Sequence, residues 1–262
     1  MIGPLLLAGV AGLAELFGAL LAITPLRVSH RAILYLFGMS GGYMLTWSVA
    51  DLIPLLVKHD ASLVIWTLGG YFGLYVIENL FASHAHPIDA GGTDDLHGHA
   101  LVDSWGGHPA VISPAACWAA IVGLAVHGFL DGAAIVASFA IHPQVGALVF
   151  LAVFIHKVPE GSSLTSVLGA AQQGPRIIVT AIGSALMTML GGVAAWALKI
   201  VEPQGAYVLL ALSAGTFLFI GASNLIPATQ KGESRGVVVA VLAGAVLFLG
   251  VKALVEAAGI HG

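Results

Sequence analysis

The sequence predicts an all-α polytopic membrane protein, and three observations carry that prediction. Hydrophobic residues make up 58% of the chain and charged residues only 8%, whereas a water-soluble domain carries about a quarter charged residues. The mean hydropathy is +0.99. The apolar residues fall in runs long enough to cross a hydrocarbon core about 30 Å thick at about 1.5 Å of rise per residue. A membrane β-barrel would alternate polar and apolar residues in segments of about ten instead.

Eight candidate spans follow in order, at about 2–24, 32–56, 62–82, 114–140, 145–170, 177–198, 206–227 and 236–257. The first lacks a basic leading region and a small-residue cleavage site and contains Glu15, so it reads as a retained span and not a signal peptide. The second carries Asp51 and ends after Leu-Ile-Pro, and the third carries Glu78 near its end. Between spans three and four lies the only long loop, 83–113, rich in His and Asp and free of Lys and Arg. Spans four and five hold the most polar motifs, and six to eight are apolar with recurrent glycine. The whole chain, 1–262, reads as a single transmembrane domain with that loop as its one extension.

Lys and Arg in short loops set orientation. Arg27, Arg31, Arg176, Lys231 and Arg235 fall on one face, and Lys58, Lys199 and Lys252 on or near the other. The richer face is assigned to the cytoplasm, which places both termini outside it. The plasma membrane, a bacterial inner membrane, is the expected location. The lone cysteine, Cys117, excludes an intramolecular disulfide and a cysteine-based zinc site.

Two segments match without gaps, "SGGYMLTWSVADLIP" at 40–54 and "SAGTFLFIGASNLIP" at 213–227, with identical Ser, Gly and Leu and a shared closing Leu-Ile-Pro. With the orientation above, these two spans run in opposite directions. That predicts an inverted repeat, spans 1–3 against spans 6–8, around central spans 4 and 5. Small residues and a terminal proline are also common in membrane helices generally.

Span four reads "HGFLDG" at 127–132 and span five "HKVPEG" at 156–161, both His-x-x-x-acid-Gly. Positions i and i+4 share a helix face, so His127 stands by Asp131 and His156 by Glu160. Ionisable groups at membrane depth are costly and point to function. Two imidazoles and two carboxylates form a first shell for zinc, ferrous iron, manganese or cobalt. The alternative is a buried hydrogen-bonded network that only ties the helices together. Pro159 removes a backbone donor, which predicts a kink and an unwound carbonyl at Ile155.

These paired motifs, with eight spans and a histidine-bearing loop before span four, resemble the ZIP (Zrt/Irt-like) divalent-metal transporters over essentially the whole chain. The stretch "GMSGGYMLTWSVADLIP" at 38–54 is similar to the family's second span. The resemblance implies uptake of divalent metal ions into the cytoplasm, zinc first and iron, manganese, cobalt or cadmium also fitting, with no resident cofactor. It implies that His127, Asp131, His156 and Glu160 form the transport site and that Met44 adds a thioether, though a gap-filling core role also suits Met44. Many members bind a second ion beside the first. Here the positions implied for its ligands read Gly128, Lys157 and Thr188, so a mononuclear site is expected, with Lys157 standing in for the second ion. Snorkelling to an interface is the other reading of Lys157.

Among the remaining polar residues, Asp51 and Asn224 occupy equivalent places in the two matched segments and either line the way in and the way out or cap helix ends. Glu15 is placed to pair with Lys157, and Glu78 is expected simply to be solvated. His84, His86, His97, His99 and His108 suit weak capture of metal, or mark a flexible acidic linker. Metal ions and the bilayer are the expected partners, a homodimer is one assembly such a bundle could form, and nucleic acid is not expected. A metal-dependent intramembrane hydrolase and a non-transporting metal sensor are the competing functions. The first needs a general base that is not a ligand, and the second leaves the repeat unexplained.

Overall fold

The computed structural model describes residues 2–23, 30–82, 114–170, 174–198, 202–230 and 235–257. The helices are α1 (Ile2–Ile23), α2 (His30–Trp47), α3 (Ile53–His59), α4 (Val64–Ala82), α5 (Pro114–Ile141), α6 (Pro143–Ala170), α7 (Ile177–Ala197), α8 (Pro203–Leu218), α9 (Ile226–Gln230) and α10 (Arg235–Ala257). Among the described residues, seven stretches are long and apolar enough to cross a membrane, one each in α1, α5, α6, α7 and α10, one in α4 with the turn before it, and one from α8 to Leu225. The expected eighth span, 32–56, is helical as well but is not among the seven. Ser40, Thr46, Ser48 and Asp51 dilute its apolar run. The chain is an all-helical, multi-pass membrane protein.

Large apolar side chains cover the outside, as lipid requires: Leu6, Leu13 and Phe17 on α1, Val179 and Leu186 on α7, Val246 and Leu254 on α10. The most enclosed spans are α5, α6 and α8. Packing divides the helices into two groups. In one, α1 lies against α6 and α7, and α5 against α7 and α6; in the other, α2 lies against α10, and α4 against α8. Contacts of α5 with α8 and α4, and of α6 with α2, join the groups.

Four of these helix pairs meet backbone to backbone, because each presents a glycine to the other's carbonyl. A methyl group at Gly42 would strike Val241 O and one at Gly244 would strike Met39 O, so α2 and α10 touch there. Gly215 against Thr67 O and Gly70 against Leu212 O do the same for α8 and α4. Gly132 meets Thr188 O and Gly191 meets Phe129 O between α5 and α7, while Gly161 meets Glu15 O and Gly18 meets Val158 O between α6 and α1. Without a hydrophobic drive between helices in lipid, such close approach is a main source of association.

Both matched segments end in a π-helical turn, Ser48–Leu52 and Phe219–Leu225. The Ile53 N–H donates to Ser48 O and the Ile226 N–H to Gly221 O, in each case five residues back. The cause is local: Pro54 and Pro227 have no N–H to give, so the ladder widens by one residue just before them. Pro159 lies inside α6, which is helical throughout from Pro143 to Ala170, and it has no N–H to offer the Ile155 carbonyl. Between α3 and α4, Asp60 accepts a hydrogen bond from the Ser62 N–H at 2.8 Å, which holds its carboxyl below the usual carboxylate range.

Candidate metal centre

α5 and α6 are antiparallel neighbours joined at His142, so their two His-x-x-x-acid-Gly faces meet inside the bundle. His127, Asp131, His156 and Glu160 are all buried, and one ligand atom from each lies within 4.8 Å of the others. His127 Nε2 is 3.2 Å from Asp131 Oδ2 and 3.4 Å from His156 Nε2. His156 Nε2 is 3.1 Å from Asp131 Oδ2 and 3.7 Å from Glu160 Oε2. Ligands at about 2.0–2.2 Å from a tetrahedral zinc sit about 3.3 Å from one another; four of the six separations here are near that value and the rest lie within 4.8 Å.

Hydrogen bonding tells which atoms face inward. His156 Nδ1 lies 3.0 Å from Ala152 O, and a carbonyl can only accept, so Nδ1 carries the proton. Nε2, 3.1 Å from Asp131 Oδ2, is then the ring atom that faces the carboxylate, where it can hold a proton or a metal ion. The backbone carbonyl thus orients the ring and fixes its tautomer as outer partners of metal-bound histidines do. Asp131 Oδ1 has no hydrogen-bond partner among the described residues. Phe217 closes the apolar side, with ring centroids 5.8 Å from His127 and 5.4 Å from His156.

Lys157 is wholly buried beside this group, and it does not snorkel to an interface. Its Nζ is 2.6 Å from Glu160 Oε2, 3.1 Å from Asp131 Oδ2 and 3.2 Å from Glu15 Oε2. A methyl group at Gly128 would lie 3.3 Å from that Nζ and 3.2 Å from Thr188 Oγ1. The ammonium therefore rests among Gly128, Thr188 and Glu15. With all four ionised, three carboxylates and one ammonium leave two negative charges, which is what one dication neutralises. Met44 is fully buried in the apolar cluster that holds Trp47 and Phe217.

A narrow cavity, open at its mouth, reaches His127, His156 and Glu160 from the end of the bundle where Glu78 and Asn224 stand. Asn224 Nδ2 donates to Glu78 Oε1 at 2.8 Å. Glu78 is thus a bonded, cavity-lining group, not the merely solvated one expected. At the other end, Asp51 pairs with Lys252, a partner that sequence reasoning did not find. The glycine contacts hold the signal for it: the spacing that relates Gly70 to Gly244 also relates Glu78 to Lys252. His84, His86, His97, His99 and His108 lie outside the described residues, as do Arg27, Lys199 and Lys231.

Comparison with known proteins agrees with this geometry. The sequence model of a family described as ZIP Zinc transporter matches residues 97–255. The chain is also similar to proteins named Zinc transporter ZupT. That of Escherichia coli O7:K1 (strain IAI39 / ExPEC) is 27% identical over 238 residues, covering 87% of each chain. Those of Escherichia coli O157:H7 (strain EC4115 / EHEC) and Escherichia coli strain K12 / DH10B match with the same identity and coverage.

Proposed function

The chain belongs to the ZIP zinc transporter family, and on that premise we propose that it takes divalent transition-metal ions, zinc before others, into the cytoplasm. It is a transporter and not an enzyme. The observation that carries this reading is the enclosed set His127, Asp131, His156 and Glu160 at mutual ligand spacing. The hydrolase alternative is less well supported, because both imidazoles and two of the carboxylates at the centre stand at ligand spacing and the third carboxylate, Glu15, is paired with the Lys157 ammonium.

The site holds one ion. Lys157 takes the place of a second ion among Gly128, Thr188 and Glu15, and a second dication there would face an ammonium instead of a ligand. Met44 contributes a soft thioether as the ion passes or fills core space beside it. Asp51 and Asn224 line the way in and the way out. The protein is a single domain, 1–262, in a bacterial inner membrane with both termini outside the cytoplasm, and the histidines of 83–113 receive metal on release.

An inverted repeat organises the route. Register supports it. Gly42 and Gly215, Met39 and Leu212, Thr67 and Val241, and Gly70 and Gly244 exchange roles in two equivalent helix contacts. Gly132 and Gly161, Phe129 and Val158, Gly18 and Gly191, and Glu15 and Thr188 do so in two more. The two π turns fall at matching places as well. In this frame the cavity between Glu78 and the metal ligands faces the cytoplasm. The opposite side is closed by Trp47, Ala134, Val153, Leu210 and Phe248, all fully buried in one cluster.

Uptake then follows from what each group can do. A hydrated ion sheds water onto Asp131, Glu160 and the two Nε2 atoms, and Lys157 offsets one of the carboxylate charges while they hold no ion. The group α1, α5, α6 and α7 shifts against α2, α4, α8 and α10, along glycine contacts within each group that stay intact. The test is zinc flux into liposomes that contain the purified chain and an enclosed zinc dye. Flux that His127→Ala abolishes supports uptake; turnover of lipid or peptide without flux would sink it.

A further inference from the structure

The end of the bundle opposite the cavity carries a polar pair of its own. There Asp51, on the first π turn, pairs with Lys252 of α10. Both side chains are partly open, at 22% and 31% exposure respectively, so this end is reachable while the apolar cluster beneath it is sealed. The register set by the glycine contacts carries Asn224 onto Asp51 and Glu78 onto Lys252. Asn224 and Glu78 stand at the mouth of the cavity that reaches the metal ligands. Carried through the same register, their cavity neighbours Leu74, Leu124, Ile220 and Leu225 fall on Phe248, Val153, Trp47 and Leu52, which are buried in a single cluster. Asp51 and Lys252 therefore guard the corresponding mouth on the far side.

The two mouths differ in charge. One pairs an acid with an amide, Glu78 with Asn224; the other pairs an acid with an ammonium, Asp51 with Lys252. We propose that Lys252 is a specificity-determining residue of uptake, a tethered cation that an arriving ion must displace from Asp51. This rests on the uptake reading above. A dication gains about twice the Coulomb energy of a monovalent ion at the same distance, so zinc displaces the ammonium while sodium and potassium do not. The tether also keeps Asp51 from holding zinc so firmly that it fails to move on.

Initial rates of radioactive zinc uptake by intact bacterial cells producing the full chain test this, with membrane amount and melting temperature followed for each variant. Lys252→Met is expected to lower the KM for zinc by about fivefold, the upper range for a part-exposed ion pair, and to make uptake sensitive to external sodium. Asp51→Asn leaves an unpaired ammonium facing the ion and raises KM. Adding Lys252→Met to Asp51→Asn brings KM back towards the unsubstituted value. If both single substitutions raise KM, or Lys252→Met lowers melting temperature without changing KM, the pair only ties α10 to the π turn and the inference is wrong. Zinc uptake that is absent in the unsubstituted protein overturns the uptake reading and this inference with it.

Discussion

Replacing Lys157 with asparagine removes one positive charge from among three buried carboxylates, Glu15, Asp131 and Glu160. Uncompensated buried charge costs about 3–5 kcal/mol when one partner is lost. The expected result is a lower melting temperature without metal, partly restored by zinc, with zinc still bound by the four ligands. Loss of zinc binding in Lys157→Asn would instead make the ammonium part of the binding apparatus. Proton competition follows from the geometry of His156. Its Nδ1 proton is committed to Ala152 O, so acid can add a proton only at Nε2, the ligand atom. Zinc and a proton therefore compete for one atom, so zinc affinity is expected to fall as the solution is made more acidic, which zinc titrations at several pH values would measure. That His127, Asp131, His156 and Glu160 come together was legible in the sequence, because a shared i, i+4 spacing announces a shared face. Phe217 was not, since an aromatic residue in an apolar span carries no sign of what it touches.

At the scale of the helix, the close contacts make a sharp contrast among glycines. A methyl group at Gly132 would strike Thr188 O, whereas one at Gly9 meets nothing within 4 Å. Gly132→Ala is expected to force α5 and α7 apart at a cost of about 1–3 kcal/mol, and Gly9→Ala to change stability by less than about 0.5 kcal/mol. Chemical denaturation in detergent would read both, and equal effects would contradict the packing described. The spans themselves were legible, because unbroken apolar runs have few alternatives in a bilayer. Local departures were less so. Pro159 suggested a kink, and α6 carries it inside a continuous helix, held on one side by Gly161 against α1. The π turns before Pro54 and Pro227 went unseen, because a missing N–H does not say whether a helix will widen or stop.

For the whole molecule, the open cavity on one side and the sealed cluster on the other predict which positions water reaches. In a Cys117→Ala background, Ser163→Cys lines the cavity and should react with a small water-soluble thiol reagent. Val153→Cys lies in the sealed cluster and should not react until the transporter turns over. Equal reactivity would mean that the two sides are not distinct. The match between 40–54 and 213–227 falls on two segments that make similar glycine contacts and carry a π turn at the same place. The polar pairs at the two mouths were hidden because their partners, Glu78 and Lys252, are of opposite charge and so show no likeness. The central claim is that one dication is held by two ring nitrogens and two carboxylates. Zinc bound by the loop histidines would confuse a simple count, so the decisive measurement must locate the ion. Anomalous scattering at the zinc edge from zinc-loaded crystals should give one peak in the bundle, about 2.0–2.2 Å from ligand atoms of His127, Asp131, His156 and Glu160. A map with no peak there, or with a second peak where the Lys157 ammonium lies, would contradict it.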